Sequence, residues 1–154
     1  MSANLTMTSV GLVGCGSAKL RHPALARDLY TGALFRKSRA YVEARCDRWY
    51  VLSAKHGLVD PDQILEPYDV RLGRVIPRAP ERSALPVWDW AAMVTEQLVE
   101  ALRDVHRPEL TVLAGEQYRT ILHPCRWIFS EPMKGLGIGE QLAWLNRELS
   151  EQPA

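Results

Sequence analysis

Ser9-Val-Gly-Leu-Val-Gly-Cys-Gly-Ser-Ala-Lys19 is an apolar run that breaks into a Gly-rich polar loop and ends on a cation. Val10 to Gly14 has the composition of a buried strand, and the loop after it offers free N–H groups, a thiol, a hydroxyl and an ammonium. At the carboxyl end of a strand in an open α/β sheet, that combination lies where ligands bind. Gly14 and Gly16 let the backbone approach a ligand closely, and successive N–H groups in such a turn form an anion-binding nest. The spacing is neither the Walker pattern nor GxGxxG. Taken alone, the loop reads equally well as a tight turn over a buried thiol.

Two more stretches break in the same way. Trp49-Tyr-Val-Leu-Ser53 runs into Ser53-Ala-Lys-His-Gly57, and Leu110-Thr-Val-Leu-Ala114 runs into Gly115-Glu-Gln-Tyr-Arg119. Trp127-Ile-Phe129 is a fourth, shorter strand. Between them the apolar spacing turns helical. Pro23 suits the start of a short helix. Leu34, Phe35, Tyr41, Val42 and Cys46 share one face of a second, and Trp88, Ala91, Ala92, Thr95, Leu98, Val99, Leu102 and Val105 mark a third. Pro86 suits the first turn of that long helix; Arg103, His106 and Arg107 suit its negative end, and Pro108 stops it. Ile138, Leu142, Leu145 and Leu149 give the last helix a buried stripe, after the Gly-rich loop Gly135-Leu-Gly-Ile-Gly139. The proline-bearing segments 58–72 and 75–85 read as irregular connections, and long loops on a rigid scaffold often carry function. Strands alternating with helices predict a three-layer α/β/α sandwich with a mainly parallel four-stranded sheet. One domain over residues 9–150 follows a loose tail at 1–8.

Composition narrows the partners. The 154 residues are 47% apolar and 24% charged with a net charge of +1, so no global field argues for nucleic acid. Between Lys19 and Arg48, however, eight Lys/Arg stand against three acids. That excess attracts phosphates or forms a solvated helix face. Cys15, Cys46 and Cys125 are odd in number and widely spaced, which suggests neither a disulfide framework nor a zinc site. The first eight residues lack a signal-peptide pattern, and no apolar run is long enough to span a bilayer. A cytoplasmic location is expected, with no membrane partner, no metal and no cofactor.

In a parallel sheet the three polar loops share one edge. That converges Gly14, Cys15, Gly16, Ser17, Lys19, Ser53, Lys55, His56, Gly115, Glu116, Tyr118 and Arg119 on one cleft, with Tyr68 and Asp69 arriving from the long loop. Lys19, Lys55 and Arg119 suit a phosphate or carboxylate, and Tyr68 or Tyr118 suits a planar ring. A nucleotide or nucleoside satisfies both demands. For chemistry, an ionised carboxylate beside an anomeric carbon stabilises an oxocarbenium-like centre or positions a water. Asp69 and Glu116 are the candidates, with His56 as an acid/base. Each also has an ordinary structural role open to it: a turn cap for Asp69, a first-turn acid for Glu116 and an exposed turn residue for His56.

The runs Gly14-Cys-Gly-Ser-Ala-Lys-Leu20, Ala26–Lys37, Trp49–Leu58, Glu66-Pro-Tyr-Asp69 and Gly135–Gly139 together resemble a family of small bacterial and phage proteins. Leu52-Ser-Ala-Lys-His-Gly-Leu58 is the most specific block. That family is more distantly similar to the uracil-DNA-glycosylase-like domain of archaeosine tRNA-modifying enzymes, where a Cys-x3-Lys pattern follows the first strand, as Cys15 and Lys19 do here. The resemblance implies a uracil-DNA-glycosylase-like fold and a connection to nucleobases. The Gly-Gln-Asp-Pro-Tyr and His-Pro-Ser motifs of true uracil-DNA glycosylases are absent, so their mechanism does not carry over. The expected function is hydrolysis, or exchange, of an N-glycosidic bond in a nucleotide, a nucleoside or a base of DNA or RNA. The alternatives are a non-catalytic nucleotide-binding module and group transfer to a modified base.

Overall fold

The computed structural model describes residues 6–72, 84–85, 87–122 and 126–151. Its chain begins with β1 (Thr8–Gly14), β2 (Ala24–Leu25), α1 (Ala26–Leu29), α2 (Ala33–Arg45) and β3 (Arg48–Ser53). The short strands β4 (Gly57–Val59), β5 (Ile64–Leu65), β6 (Arg71–Leu72) and β7 (Ala84–Leu85) follow. The rest is α3 (Val87–Ala101), β8 (Pro108–Leu113), a 3-10 helix at Tyr118–Leu122, β9 (Ile128–Ser130) and α4 (Ile138–Ser150).

β1 is the centre of the main sheet. It pairs parallel with β3 through Val10–Arg48 to Gly14–Leu52 and with β8 through Thr8–Pro108 to Val13–Leu113. The full order is β4-β3-β1-β8-β9, with β4 alone antiparallel. Side chains alternate across a strand, so β1 faces two cores. Val10 and Leu12 join Leu110, Val112 and the α3 residues Trp90, Val94 and Leu98 on one side. Val13 joins Val51, Leu113, Phe35 and Val42 of α2 and Leu145 of α4 on the other. Helices therefore cover both faces of a mostly parallel α/β sheet.

Gly11 shows how closely α2 lies on that sheet: a Cβ there would come 2.7 Å from Val42 Cβ. Overpacking of this kind costs about 1–3 kcal/mol. Gly11→Ala is expected to lower stability by that amount, read as a drop in the urea midpoint at unchanged slope.

The sheet has five strands where four are expected. The loop after β3 is a tight turn, and Gly57–Val59 folds back as an edge strand paired through Ser53–Gly57 and Val51–Val59. A polar loop preceding only three apolar residues conceals this hairpin. Gln97 of α3 guards the new edge: Leu58 N–H donates to its Oε1 at 2.8 Å, and its Nε2 donates to the His56 carbonyl at 3.1 Å. Edge strands are commonly blunted in this manner. Gly57 has φ +76°, and a Cβ there would meet Gln97 Oε1 at 2.2 Å, so both conformation and space require glycine.

Several other expectations change. The residues after Pro23 form β2, which pairs antiparallel with β5, and helix starts only at Ala26. α3 ends at Ala101, and six residues separate it from Pro108 at the start of β8, so Arg103, His106 and Arg107 lie beyond the helix. The chain reverses there by the Val105 N–H to Leu102 carbonyl bond and a left-handed Arg107 with φ 50°. The buried stripe of α3 is Trp90, Ala91, Val94 and Leu98, which leaves Trp88 65% and Val99 38% exposed. At about 100° per residue, this face is rotated from the one the apolar spacing suggested. Ile138 of α4 is likewise exposed. Most of the tail, the connection 75–83, Pro86, His123 and Cys125 lie outside the described residues.

Candidate active site

The carboxyl ends of β3, β1 and β8 are neighbours on one edge, because all three run parallel. At that edge a cleft of about 250 Å³ opens between the loop after β1, the turn after β8 and a strap at 69–72. Cys15, Gly16, Ser17 and Lys19 line it from the first, Gln117 and Tyr118 from the second, and Asp69, Val70, Arg71 and Leu72 from the strap.

A buried chain of hydroxyls fastens the strap. Ser53 is fully buried at the end of β3, and its Oγ accepts the N–H groups of Lys55 and His56 at 3.2 and 3.1 Å. With those lone pairs occupied, its proton goes to Tyr68 Oη at 2.6 Å. Tyr68 in turn donates to Tyr30 Oη at 2.5 Å. Trp90 secures the other side of this strand end, its Nε1–H donating to the Ser53 carbonyl at 2.8 Å. Tyr68 is thus pinned next in sequence to Asp69, which holds the carboxylate at the cleft.

Tyr68→Phe would leave the Ser53 hydroxyl buried without its acceptor, at a cost of about 1–3 kcal/mol. The expected result is a folded protein of lower urea midpoint in which residues 66–71 exchange amide hydrogens faster than in the wild type.

Lys19 is held by its own loop. Its Nζ donates to the carbonyls of Gly16 and Ser17 at 3.1 and 3.3 Å and lies 4.5 Å from the Tyr68 ring centre. Burial lowers its pKa, and the nearby Cys15 and Asp69 oppose that shift. Cys15 is half-buried, with Sγ 3.4 Å from Tyr118 Oη and its N–H donating to the Leu52 carbonyl. Tyr118 stacks edge-on against Trp90 at 5.2 Å.

Desolvation keeps these phenols protonated. It raises the pKa of Tyr68 and Tyr118, and pushes Tyr30 from 10.0 up to about 12. Below pH 10 folded and unfolded chains both hold the Tyr30 proton. Above it the unfolded chain ionises first, so stability falls as pH rises from 10 through about 12. A shift of that size corresponds to about 2–3 kcal/mol. The urea midpoint is therefore expected to fall steeply over this range, and to fall less in Tyr30→Phe.

The other anticipated residues lie outside the cleft lining. Glu116 is exposed in the turn after β8, and Lys55 is exposed with Nζ 5.8 Å from the Tyr68 ring. Arg119 turns away to Glu131 at 3.1 Å. His56 packs edge-on against Tyr68 at 5.3 Å, and burial, then Lys55, lowers its pKa. Gly14 and Gly115 are backbone neighbours at the two strand ends, a Cβ on Gly14 falling 3.1 Å from Ala114 Cβ and 3.8 Å from the Gly115 nitrogen. Gly135–Gly139 contributes nothing to the lining; its Leu136 packs with Met133 against the core.

Arg71, Val70, Leu72 and Gln117 are cleft residues that the sequence does not single out, and Tyr30 and Trp90 are hidden supports. Only Arg71 left a signal: a cation two residues from Asp69, on the same side of an extended strap. Among the described residues, no cluster of three or more His, Cys, Asp or Glu is placed to hold a metal. Nor is any helix among them long and apolar enough to cross a membrane.

A Gly/Cys loop at the end of a central parallel strand, facing a strap with a carboxylate and a cation, defines an α/β protein with its cleft at the carboxyl edge of the sheet. Residues 10–147 match DUF6884, described as a family of unknown function, and the chain belongs to that family. It is also 28% identical over 158 residues to the uncharacterized protein YfjM of Bacillus subtilis, with 95% of this chain and 98% of that protein covered. No solved structure matches it.

Proposed function

We propose that this protein hydrolyses an N-glycosidic bond in a nucleotide, nucleoside or nucleic-acid base, with Asp69 as its catalytic carboxylate. The observation that carries this reading is the placement of Asp69. Among the described residues it is the only carboxylate lining the cleft and has no hydrogen-bonded or ion-paired partner, while the Lys19 charge lies near enough to sense it. A carboxylate placed in this way suits a sugar carbon that becomes cationic as its base departs. Water forms the new C–O bond, the C–N bond breaks, and the proton released by the water ends on the base nitrogen.

Tyr118 offers a ring face or edge to the base, and the N–H groups around Gly16 and the Lys19 ammonium suit an anionic substituent. The Cys15–Lys19 spacing and its likeness to uracil-DNA-glycosylase-like domains support the same connection to nucleobases. Incubation with a panel of nucleosides, nucleoside monophosphates and base-modified oligonucleotides, followed by chromatography, is expected to show released base. Tight nucleotide binding with no release from any of them would point instead to a binding module. Formation of a base adduct without release would point to group transfer.

A further inference from the structure

Resting on that reading, we infer that the substrate is a free mononucleotide whose single phosphate is held between Arg71 and the Gly16–Lys19 loop, and not a base within a polymer. The inference comes from where the basic residues of Lys19–Arg48 spend their charge. Arg27 bonds Glu43 at 3.1 Å and Asp62 at 2.5 Å. Arg39 bonds Asp28 and Glu43, both at 2.9 Å, and Arg45 bonds Glu148 at 3.0 Å while lying over the Tyr41 ring. Lys37 donates to Asn146 at 2.6 Å. These side chains fasten α2 to α1 and to α4, and α1 to the segment before β5. The three arginines satisfied by carboxylates release few counterions on meeting a phosphate backbone, so they make a poor track for nucleic acid.

The cleft contrasts with that face. Arg71 lines it with no hydrogen-bonded or ion-paired partner among the described residues, and Lys19 lines it with its Nζ bonded to the Gly16 and Ser17 carbonyls, over the Tyr68 ring and within electrostatic reach of Asp69. Two cations lining one small cleft suit one phosphate. A volume of about 250 Å³ lies near the lower end of small-molecule sites and suits one nucleotide unit.

The test compares base release from a nucleoside, its 5′-monophosphate, and single- and double-stranded oligonucleotides carrying the same base, at 50 and 200 mM salt. Release is expected from the monophosphate and not from either oligonucleotide, with a salt slope near one phosphate. Arg71→Ala is expected to raise KM for the monophosphate about tenfold or more and leave the nucleoside's unchanged, since a hydrogen bond to a charged group is worth about 1.5–3 kcal/mol. Arg36→Glu, a charge reversal on the exposed face of α2, is expected to change nothing.

Release confined to oligonucleotides, with a steep salt slope and sensitivity to Arg36→Glu, would overturn the inference and leave the glycosidic reading standing. Equal KM increases for nucleoside and monophosphate in Arg71→Ala would also overturn it. No release from any substrate would remove the glycosidic reading itself.

Discussion

Asp69→Ala is expected to fold as the wild type does and to lose about 10²–10⁴-fold in kcat/KM for base release. That range is what a positioned carboxylate contributes by proton transfer or water orientation. The fold should tolerate the change because Asp69 is exposed and makes no hydrogen bond among the described residues, and such surface substitutions stay within about 0.5 kcal/mol. Glu116→Ala is the matched control. Its carboxylate is exposed in the turn after β8 and does not line the cleft, so activity should remain within about twofold. Steady-state kinetics with a urea melt on each variant checks both. A loss in Glu116→Ala with activity kept in Asp69→Ala would place the chemistry in the turn after β8 rather than on the strap.

The second large effect is on stability. Trp90→Ala removes a fully buried indole from the core between α3 and the sheet. Losses of this kind run to about 3–5 kcal/mol, a substantial part of the 5–15 kcal/mol that holds an ordinary domain. The damage reaches the cleft by two routes: the Ser53 carbonyl loses the indole N–H, and Tyr118 loses the surface it stacks on. A lower urea midpoint is therefore expected together with a raised KM in whatever fraction stays folded. Trp90→Phe keeps most of the volume and the edge-on contact but not the N–H donor. It should recover most of the stability and less of the KM.

How far the sequence could be read depended on whether a feature was local. Val10–Gly14, Trp49–Ser53 and Leu110–Ala114 are apolar runs broken by glycine or by Ser and Lys, and composition alone marks them as parallel strands with loops on one edge. Cys15, Lys19 and Tyr118 follow from that placement. Arg71 and Gln117 do not, because nothing in a proline-bearing connection or a four-residue turn says which side chains face a cleft. The hydroxyl chain Ser53–Tyr68–Tyr30 joins residues 15 and 38 positions apart and leaves no periodic trace. Gln97 is similar: on α3 it looks like solvated surface, yet it closes the β4 edge. The basic excess at Lys19–Arg48 shows the reverse, since a charge count is visible while its partners Asp62 and Glu148 lie far along the chain.

All of this chemistry depends on one claim, that ligand binds where the ends of β1 and β8 meet the strap. Titrating the labelled protein with a nucleoside 5′-monophosphate and following its amide resonances tests it directly. The largest shifts should fall at residues 15–19, 69–72 and 117–118, with smaller ones at Ser53 and Tyr68. Shifts confined to another surface, such as the groove between β4 and α3 lined by Leu58, Met93 and Glu96, would contradict it.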